Sequence, residues 1–367
     1  MKTISVFNNK GGVGKTTLTY HLACVLAELG HRTLIIDLDP QCNMTVLCMD
    51  QEKLHEIWAE EDPFIEDYKS AKDQISSADF DAIVTANRSI HFLLKPVEDG
   101  VSETIMSAPY AVAPNLDLIP GRLSLHLFED KIASRWSEVY QGDPLAIRTV
   151  TNVREISERY AKQHKYDFVI IDTSPSLGAL NKVIISTTDC FIVPCMPDMF
   201  SLYGIRNIGN SLSIWKKQFD TIFHFLSDEK RKNFPNKFVR FIGYTIYNAR
   251  KYSGGLNDWD LARAQFNYAK QIPDTIRSFM KVEIREHLPD DLLEKPIGET
   301  SVMHSHATMA NMAQKYRVPI WKVPEIPELE RSDVSTISGN SARYKETRAH
   351  YLLFAKDTLL RIATLEG

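Results

Sequence analysis

The sequence predicts an α/β fold in which helices flank a doubly wound, mainly parallel sheet, with an inserted segment and a helical C-terminal extension. Near the N-terminus an apolar run, a glycine-rich turn, a helical stripe and a second apolar run follow one another, an order typical of a βαβ unit. Three later apolar runs are far enough apart for helices to lie between them. In such a sheet, ligands bind beyond the carboxyl ends of the strands.

Each predicted element rests on a local pattern. Residues 4–7 form a short apolar run before the glycine turn, which predicts a buried strand. Apolar side chains then recur every three or four residues from position 18 to position 29, and Gly30 supplies a helix stop. A second strand is predicted over residues 33–39 and ends in the carboxylates Asp37 and Asp39. The later strands are predicted over residues 166–175, 190–198 and 239–248.

The 367 residues suit one large α/β unit that carries insertions. We expect this unit to cover residues 1–323, with an insertion at about 49–114. Residues 51–74 hold eight acidic side chains and three lysines, which favours a solvated helical surface. Residues 324–343 are rich in Pro, Ser and Gly and are predicted to be a connector. Residues 344–367 predict a helix whose apolar face packs on the body.

Composition and cysteine usage indicate the compartment. The five cysteines form no C-x-x-C pair, and such thiols suit a reducing environment. The chain reaches its glycine loop within nine residues, so we expect no signal peptide. No apolar run approaches the length of a membrane span. We therefore expect a cytoplasmic protein without a stable membrane anchor.

The glycine loop is the strongest functional signal. Gly14, Lys15 and Thr16 end the phosphate-binding pattern G-x-x-x-x-G-K-[ST], although Asn9 stands where that pattern has its first glycine. An extra lysine, Lys10, precedes the adjacent glycines. Glycines let backbone N–H groups approach phosphates, and the following helix adds its positive N-terminal end. The predicted cradle comprises Gly11, Gly12, Val13, Gly14, Lys15, Thr16 and Thr17.

The residue types around the loop predict how a nucleotide and Mg²⁺ would bind. Lys15 is expected at the β- and γ-phosphates, and the Thr16 hydroxyl at Mg²⁺. Asp172 closes an apolar strand and is the acid expected to hold Mg²⁺. The alternative is a glycine turn that merely links strand to helix. It is disfavoured because two of the predicted strands end in carboxylates, Asp37 and Asp39 in one and Asp172 in the other, as a nucleotide site requires.

The segments "KGGVGKTT", "IIDLDPQCN" and "VIIDTSPS" resemble the ParA/MinD family of deviant Walker-A P-loop ATPases. The ParA branch, which partitions chromosomes and plasmids, is the more similar, because "DLDPQ" and "PDMFSLYGI" resemble the corresponding segments of its members. The resemblance covers residues 1–48 and about 115–250, and it makes residues 1–323 a P-loop ATPase domain. It implies a slow, partner-stimulated ATP hydrolase that uses Mg²⁺ and forms a homodimer on binding ATP.

The resemblance also implies roles for individual residues. Lys10 matches the signature lysine that reaches the ATP of the partner chain. Asp39 matches the carboxylate that orients the attacking water, and Asp37 matches an acid near Mg²⁺. Asn248 matches a position that contacts adenine, and Pro197 and Asp198 lie on the same base-facing edge. The predicted catalytic residues are Lys10, Lys15 and Asp39, and the predicted metal residues are Thr16, Asp37 and Asp172.

The resemblance implies that the ATP-bound dimer binds DNA non-specifically. The charge distribution of the sequence bears on this expected DNA binding. The net charge is −4, yet ten basic and three acidic residues lie between Arg206 and Lys251, a local charge of +7. Such segregation is typical of phosphate-backbone binding, although a solvated surface is the alternative. The candidate DNA-binding residues are Lys216, Lys217, Lys230, Arg231, Lys232, Lys237, Arg240, Arg250 and Lys251.

Two further functions remain open. A nucleotide-gated scaffold that regulates a protein complex without DNA is the main alternative, because residues 49–114 and 251–367 match the family only loosely. MinD-like membrane positioning is less favoured, because the last helix mixes acidic with basic residues. The resemblance further implies a stimulating adaptor protein and, when DNA is bound, association with the nucleoid.

Overall fold

A computed structural model describes residues 1–232, 234–252, 254 and 257–366. Its centre is a seven-stranded sheet. The strands are β1 (Lys2–Val6), β2 (Thr33–Leu38), β3 (Tyr110–Ala113), β4 (Leu116–Ile119), β5 (Phe168–Thr173), β6 (Cys190–Cys195) and β7 (Arg240–Ile246). Their order across the sheet is β3-β4-β2-β5-β1-β6-β7, and every neighbouring pair is parallel except β3 with β4.

Helices make up most of the remaining structure. They are α1 (Lys15–Glu28), α2 (Asn43–Cys48), α3 (Gln51–Glu66), α4 (Tyr68–Asp73), α5 (Ser77–Thr85), α6 (Ile90–Glu98), α7 (His126–Val139), α8 (Pro144–His164), α9 (Ala179–Thr187), α10 (Met199–Phe225), α11 (Asp228–Arg231), α12 (Arg263–Ala269), α13 (Ile272–Phe279), α14 (Val282–Arg285), α15 (Asp290–Glu294), α16 (Thr308–Tyr316), α17 (Arg331–Gly339) and α18 (Ser341–Ala363).

Both faces of the sheet are covered, which explains the continuous apolar runs of the strands. Leu34, Ile36 and Leu38 pack in a core with α3–α9, whereas Ile35 points to the opposite core with α1, α2 and α18. A third core joins β6 and β7 to α10 and α12–α15. The predicted doubly wound, mainly parallel α/β fold is confirmed, including helices at the C-terminal end.

The structure differs from the sequence-based prediction at the inserted segment and near the C-terminus. Short strands β3 and β4 extend the sheet at one edge and were not predicted. The expected solvated surface has an exception: Glu61 is fully buried and accepts hydrogen bonds from Ser89 and Arg122. The predicted connector 324–343 contains α17, and the last helix begins at Ser341 rather than at 344. Tertiary packing of Ile337 overrides the weak helix propensity of that serine-rich segment.

The buried guanidinium of Arg361 links helix α18 to the sheet. Arg361 is 1% exposed, and its Nη1 and Nη2 donate to the carbonyls of Ile242 and Lys295 at 3.3 and 3.1 Å. Its Nε donates to Asp357 at 3.2 Å. A buried charge with these partners is costly to break from one side. Arg361 therefore anchors the C-terminal helix to β7.

We expect Arg361→Met to lower the free energy of unfolding by about 3–5 kcal/mol, because it leaves two carbonyls without their donor and Asp357 without its cation. Urea denaturation followed by circular dichroism measures this change. The control is Lys356→Met on the exposed side of the same helix, which should change stability by less than about 0.5 kcal/mol. Equal effects of the two substitutions would contradict the anchoring role.

Candidate functional site

The glycine loop joins β1 to α1 in a conformation that glycine alone adopts readily. Gly12 and Gly14 have φ values of 73° and 81°, in the left-handed region. A side chain on Gly14 would place its Cβ 2.1 Å from the ring of Tyr247. The loop is also fixed by Asn8, whose Oδ1 accepts from Lys10 N–H at 3.0 Å and whose Nδ2 donates to Pro194 at 2.6 Å. The missing first glycine of the general pattern therefore leaves a well-supported loop.

A cleft of about 480 Å³ opens beside the loop, at the carboxyl ends of the strands. Of the predicted cradle, only Val13 does not line it; that side chain is fully buried. Four residues of α16 also line the cleft, although no part of the sequence pattern predicted a role for this helix. The lining residues are Gly11, Gly12, Gly14, Lys15, Thr16, Thr17, His21, Asp39, Gln41, Asn43, Leu47, Pro175, Ala310, Asn311, Ala313 and Gln314.

Thr16 lines the cleft and contacts Asp172, which is fully buried behind it. The Thr16 hydroxyl donates to Asp172 Oδ2 at 2.8 Å. Asp172 Oδ1 is buried and accepts no hydrogen bond from any described residue. Burial raises the pKa of Asp172, and the nearby charge of Asp37 adds to the rise. A buried carboxylate oxygen with no donor fits a cation at this corner.

The donor set fits Mg²⁺ in particular. Mg²⁺ is usually held by one or two protein oxygens, with phosphates and waters completing its shell. Within the described residues no group of three or more His, Cys, Asp or Glu side chains is placed to hold a metal. Thr16 and Asp172 would therefore hold the ion together with a bound triphosphate, rather than as an all-protein cage.

Asp37 faces Asp172 across paired strands but is occupied by Thr45. The two carboxylates are in register on β2 and β5. Asp37 accepts from Thr45 Oγ1 at 2.6 Å and from Thr45 N–H at 2.9 Å. Burial raises the pKa of Asp37 to about 6, against the lowering effect of these hydrogen bonds. Its predicted place near Mg²⁺ stays a prediction, and Thr45, which the sequence analysis missed, is the residue that orients it.

Lys15 and Asp39 both line the cleft in which phosphates would bind. Lys15 Nζ donates to the carbonyl of Lys10 at 3.3 Å, within the loop itself. Burial lowers the pKa of Lys15, while the charges of Asp172 and Asp39 act in the opposite direction. Asp39 is buried in the cleft wall, and its Oδ1 accepts from Gln41 N–H at 2.9 Å. No residue in the described part of the chain donates a hydrogen bond to its Oδ2.

Lys10 does not line the cleft of its own chain. Its Nζ lies 2.5 Å from Asp198 Oδ2 and 5.7 Å from the centre of the Phe200 ring. Asp198 Oδ1 also accepts from Ser201 N–H at 2.8 Å and so caps α10. Burial raises the pKa of Asp198, but the hydrogen bonds from Lys10 and Ser201 and the charge of Lys10 together outweigh this and leave the pKa below its usual value. Within one chain, Lys10 is therefore held beside the cleft by the carboxylate of Asp198.

The residues predicted at the base-facing edge lie outside the cleft lining. Asn248 is exposed at a φ of 59°, just after β7. Pro197 and Asp198 follow β6, and Asp198 is engaged with Lys10. None of the three is among the residues that line the cleft. Their contact with a base stays a prediction.

The candidate DNA-binding residues separate into two groups. Most lie at the amino ends of the strands: Lys216, Lys237 and Arg240 line one groove where β7 begins, and Arg231 and Lys232 line a neighbouring groove. The same end also carries Lys217 and Lys230. This end of the sheet lies opposite the nucleotide cleft.

The second group, Arg250 and Lys251, follows the carboxyl end of β7 and is exposed. Several members of the first group have partners within the chain, such as Lys216 with Asp220 at 2.7 Å and Arg240 with the Leu365 carbonyl at 3.0 Å. The basic segment is therefore not one continuous surface. None of the described helices is both long and apolar enough to cross a bilayer.

Comparisons with known proteins agree with this geometry. Residues 1–225, more than half of the chain, match the protein family described as "AAA domain". An uncharacterised protein of Methanocaldococcus jannaschii is 30% identical over 209 residues, which cover 56% of this chain and 63% of that one. The sporulation initiation inhibitor protein Soj of Bacillus subtilis is 27% identical over 220 residues, which cover 60% of this chain and 68% of Soj. The chain thus spans less than two thirds of the archaeal relative.

Solved structures show the same fold. The structure of pNOB8 ParA gives a TM-score of 0.58 at 18% identity, covering 99% of this chain and 98% of that one. The structure of pNOB8 ParA bound to nonspecific DNA gives a TM-score of 0.54. Fold, loop geometry and sequence relatives agree. The chain belongs to the ParA/MinD family of P-loop ATPases and lies close to its ParA branch.

Proposed function

We propose that this protein is a ParA-like ATPase that binds Mg-ATP, forms an ATP-sandwich dimer, binds DNA non-specifically and is reset by hydrolysis. The observation that carries the proposal is the cleft lined by the glycine loop and Asp39, with Asp172 behind it on Thr16 and with Lys10 beside it but outside it. Its work would be to position or partition DNA or another cargo in the cytoplasm. A stimulating adaptor protein would set the timing of hydrolysis.

The carboxyl edge of the sheet supports the proposed dimer. Large apolar side chains follow the strands there and remain exposed: Phe200 is 66% and Tyr203 55% exposed on the first turns of α10. Leu177, after β5, and Leu123, after β4, are exposed on the same edge. Apolar side chains concentrated around a charged cleft are typical of a protein interface. A second copy placed face to face would cover them and bring its Lys10 to this nucleotide.

The residues divide the hydrolytic work. Lys15 and the loop N–H groups would hold the phosphates, and Asp39 would orient the attacking water. Lys10 of the second chain would stabilise the negative charge that develops on the transferred phosphate. Thr16 and Asp172 would hold Mg²⁺, which when bound supplies further positive charge at the phosphates.

If Asp198 restrains Lys10 in the single chain, we expect Asp198→Asn to increase ATP-dependent dimer formation severalfold, because asparagine still caps α10 but no longer pairs with the lysine. Light scattering after size exclusion, with and without ATP, measures this change. The control is Asp220→Asn, which breaks an exposed ion pair with Lys216 on the same helix. An Asp198→Asn protein that dimerises no better than the control would contradict the restraint.

DNA binding is tested by a gel shift on random duplex DNA at low salt. We expect binding that requires ATP and weakens steeply as salt rises. Replacing Lys216 and Lys237 by glutamine should reduce the slope of log affinity against log salt concentration by the equivalent of about two phosphate contacts. Replacing Arg250 and Lys251 should reduce this slope less, because five further candidate basic residues lie near the first pair and none of them lies near the second. Failure of the wild-type protein to bind DNA with ATP would remove DNA from the proposal.

One observation favours a second candidate function. Because the basic residues divide between opposite ends of the sheet and several are paired within the chain, a nucleotide-gated scaffold that regulates a protein complex without DNA is the alternative. It predicts ATP-dependent dimers that leave DNA unshifted. The gel shift therefore separates the two functions while leaving the nucleotide site itself in place.

A further inference from the structure

The inserted segment, residues 49–114, has no role in the nucleotide site as described so far. A short loop, residues 120–122, follows β4 and lies between the insertion and that site. On one side this loop contacts the magnesium corner, the buried corner formed by Thr16, Asp37 and Asp172. On the other side it contacts helices α3 and α6 of the insertion. The loop therefore connects the insertion to the place where Mg²⁺ would bind.

The Thr45 hydroxyl, which orients Asp37, is itself fixed by this loop. It donates to Asp37 Oδ2 at 2.6 Å and accepts from the N–H of Gly121 at 2.7 Å. A hydroxyl has a single hydrogen, so one lone pair takes the bond from Gly121 while the hydrogen goes to the carboxylate. The Gly121 backbone also packs against Asp37, since a Cβ at this position would lie 3.1 Å from Asp37 Oδ2. The position of Gly121 therefore determines how Asp37 is held.

Two helices of the insertion hold the backbone of this loop. The Trp58 indole on α3 donates from Nε1 to the carbonyl of Gly121 at 3.2 Å. The N–H of Ile90, the first residue of α6, donates to the carbonyl of Pro120 at 2.8 Å. The Pro120 carbonyl and the Gly121 N–H belong to one planar peptide group, so fixing the carbonyl also fixes the direction of the N–H. The hydrogen bonds from α3 and α6 therefore act directly on the group that holds Thr45.

A buried ion pair links the same loop to the insertion. Arg122 Nη1 donates to the carbonyl of Trp58 at 2.9 Å and to Glu61 Oε2 at 3.0 Å. Glu61 is fully buried, and it also accepts from the N–H and the hydroxyl of Ser89, both at 2.6 Å, just before α6. A buried polar network whose members all have partners is rigid. The loop, α3 and α6 are therefore held in one defined arrangement.

From these contacts we propose that the insertion positions Asp37 at the magnesium corner. Trp58 and Arg122 are the positioning residues, and they act through the peptide group that holds Thr45. The inference rests on the proposed nucleotide-binding function. Groups that hydrogen-bond to the residues around a metal orient those residues, and their loss weakens metal binding. The insertion therefore contributes to how tightly Mg-ATP is held, although none of its residues, all of which the structure describes, lines the cleft.

The test is calorimetric titration with ATP in the presence of Mg²⁺ and in the presence of EDTA, and the ratio of the two affinities is the Mg²⁺ effect. In Thr45→Val, which keeps the shape but loses the hydroxyl, we expect the Mg²⁺ effect to fall about tenfold or more. In Trp58→Phe, which keeps an aromatic ring but loses the N–H donor, we expect a severalfold fall, because the indole acts only through the loop. The affinity for ATP in EDTA should stay unchanged, since the glycine loop is intact.

A double variant separates positioning from a general loss of stability. If Trp58 acts through Thr45, the variant Thr45→Val/Trp58→Phe should lose no more of the Mg²⁺ effect than Thr45→Val alone, because the second substitution has nothing left to act on. Thr45→Ser, which keeps the hydroxyl, should retain the wild-type Mg²⁺ effect. The matched control is Trp259→Phe, a half-buried tryptophan packed on the third core, which should bind ATP like the wild type under both conditions.

The outcomes distinguish this inference from the function on which it rests. A Trp58→Phe protein with the wild-type Mg²⁺ effect, or two substitutions whose effects simply add, would overturn the positioning role while the nucleotide site stands. A loss of ATP affinity in EDTA would also overturn it, because the insertion would then act on the phosphate loop. A wild-type protein that binds no ATP under either condition would overturn the proposed function and this inference together.

Discussion

Replacing Lys15 by alanine is expected to weaken ATP binding by about 100-fold or more and to abolish ATP-driven dimerisation. Lys15 is the cation at the start of α1, and its ammonium group lies within the glycine loop, where it hydrogen-bonds to the Lys10 carbonyl. Bound phosphates would replace that carbonyl with two charged acceptors. Hydrogen bonds to charged groups contribute about 1.5–3 kcal/mol each, so losing two removes at least two orders of magnitude in affinity.

Calorimetric titration with ATP measures the effect, and the control is Lys53→Ala, an exposed lysine on α3. Because Lys15 lies beside the buried carboxylates of Asp172 and Asp39, its removal also affects stability, so the melting temperature should be recorded for each variant. A folded Lys15→Ala protein that binds ATP within a few-fold of the wild type would show that the loop is not the phosphate site.

Replacing Asp39 by alanine is expected to lower ATP hydrolysis by about two orders of magnitude or more while leaving ATP bound. Asp39 lies in the cleft wall and is oriented by Gln41 N–H, but it is not part of the glycine cradle. Its loss therefore removes the group that would align water without removing any phosphate donor. Since hydrolysis resets the dimer in this proposal, the variant should accumulate as an ATP-bound dimer.

Phosphate release and light scattering on the same samples separate the two effects, and Asp81→Ala, an exposed acid on α5, is the control. Normal turnover by the Asp39→Ala protein would refute the water-orienting role. A variant that loses both hydrolysis and ATP would instead place Asp39 among the binding residues.

The predictable part of the fold came from contiguous patterns. The five predicted strands lie on both sides of the P-loop and are buried on both faces, so their sequences are continuous apolar runs. Strands β3 and β4 have four residues each, and β3 alternates between half-buried and exposed positions at the sheet edge, so they give little sequence signal. Helix α17 buries Ile337 against Met309 and Ala313 of α16, which lie well before it in the chain, and a local pattern cannot show such a contact.

The candidate site shows the same division between local and tertiary information. Lys15, Thr16 and Asp172 were predictable because a motif and an acid-ended strand place them in the sheet. Thr45 contacts the Asp37 carboxylate, and α16 contacts the cleft, only through the packing of the folded chain, so no spacing rule pointed to them. The pairing of Lys10 with Asp198 likewise joins residues 188 positions apart.

The claim that Lys10 acts on the nucleotide of a second chain is tested most directly by mixing two inactive variants. Lys10→Ala and Asp39→Ala proteins are combined before ATP is added, and phosphate release is measured. In a mixed dimer, the Lys10→Ala chain keeps its own Asp39 and receives Lys10 from the Asp39→Ala chain, so one complete site forms. Random pairing of a two-fold dimer should then restore about a quarter of wild-type activity. A mixture that stays as inactive as its separate components would contradict the account, because it would place Lys10 and Asp39 of the same chain at the same nucleotide.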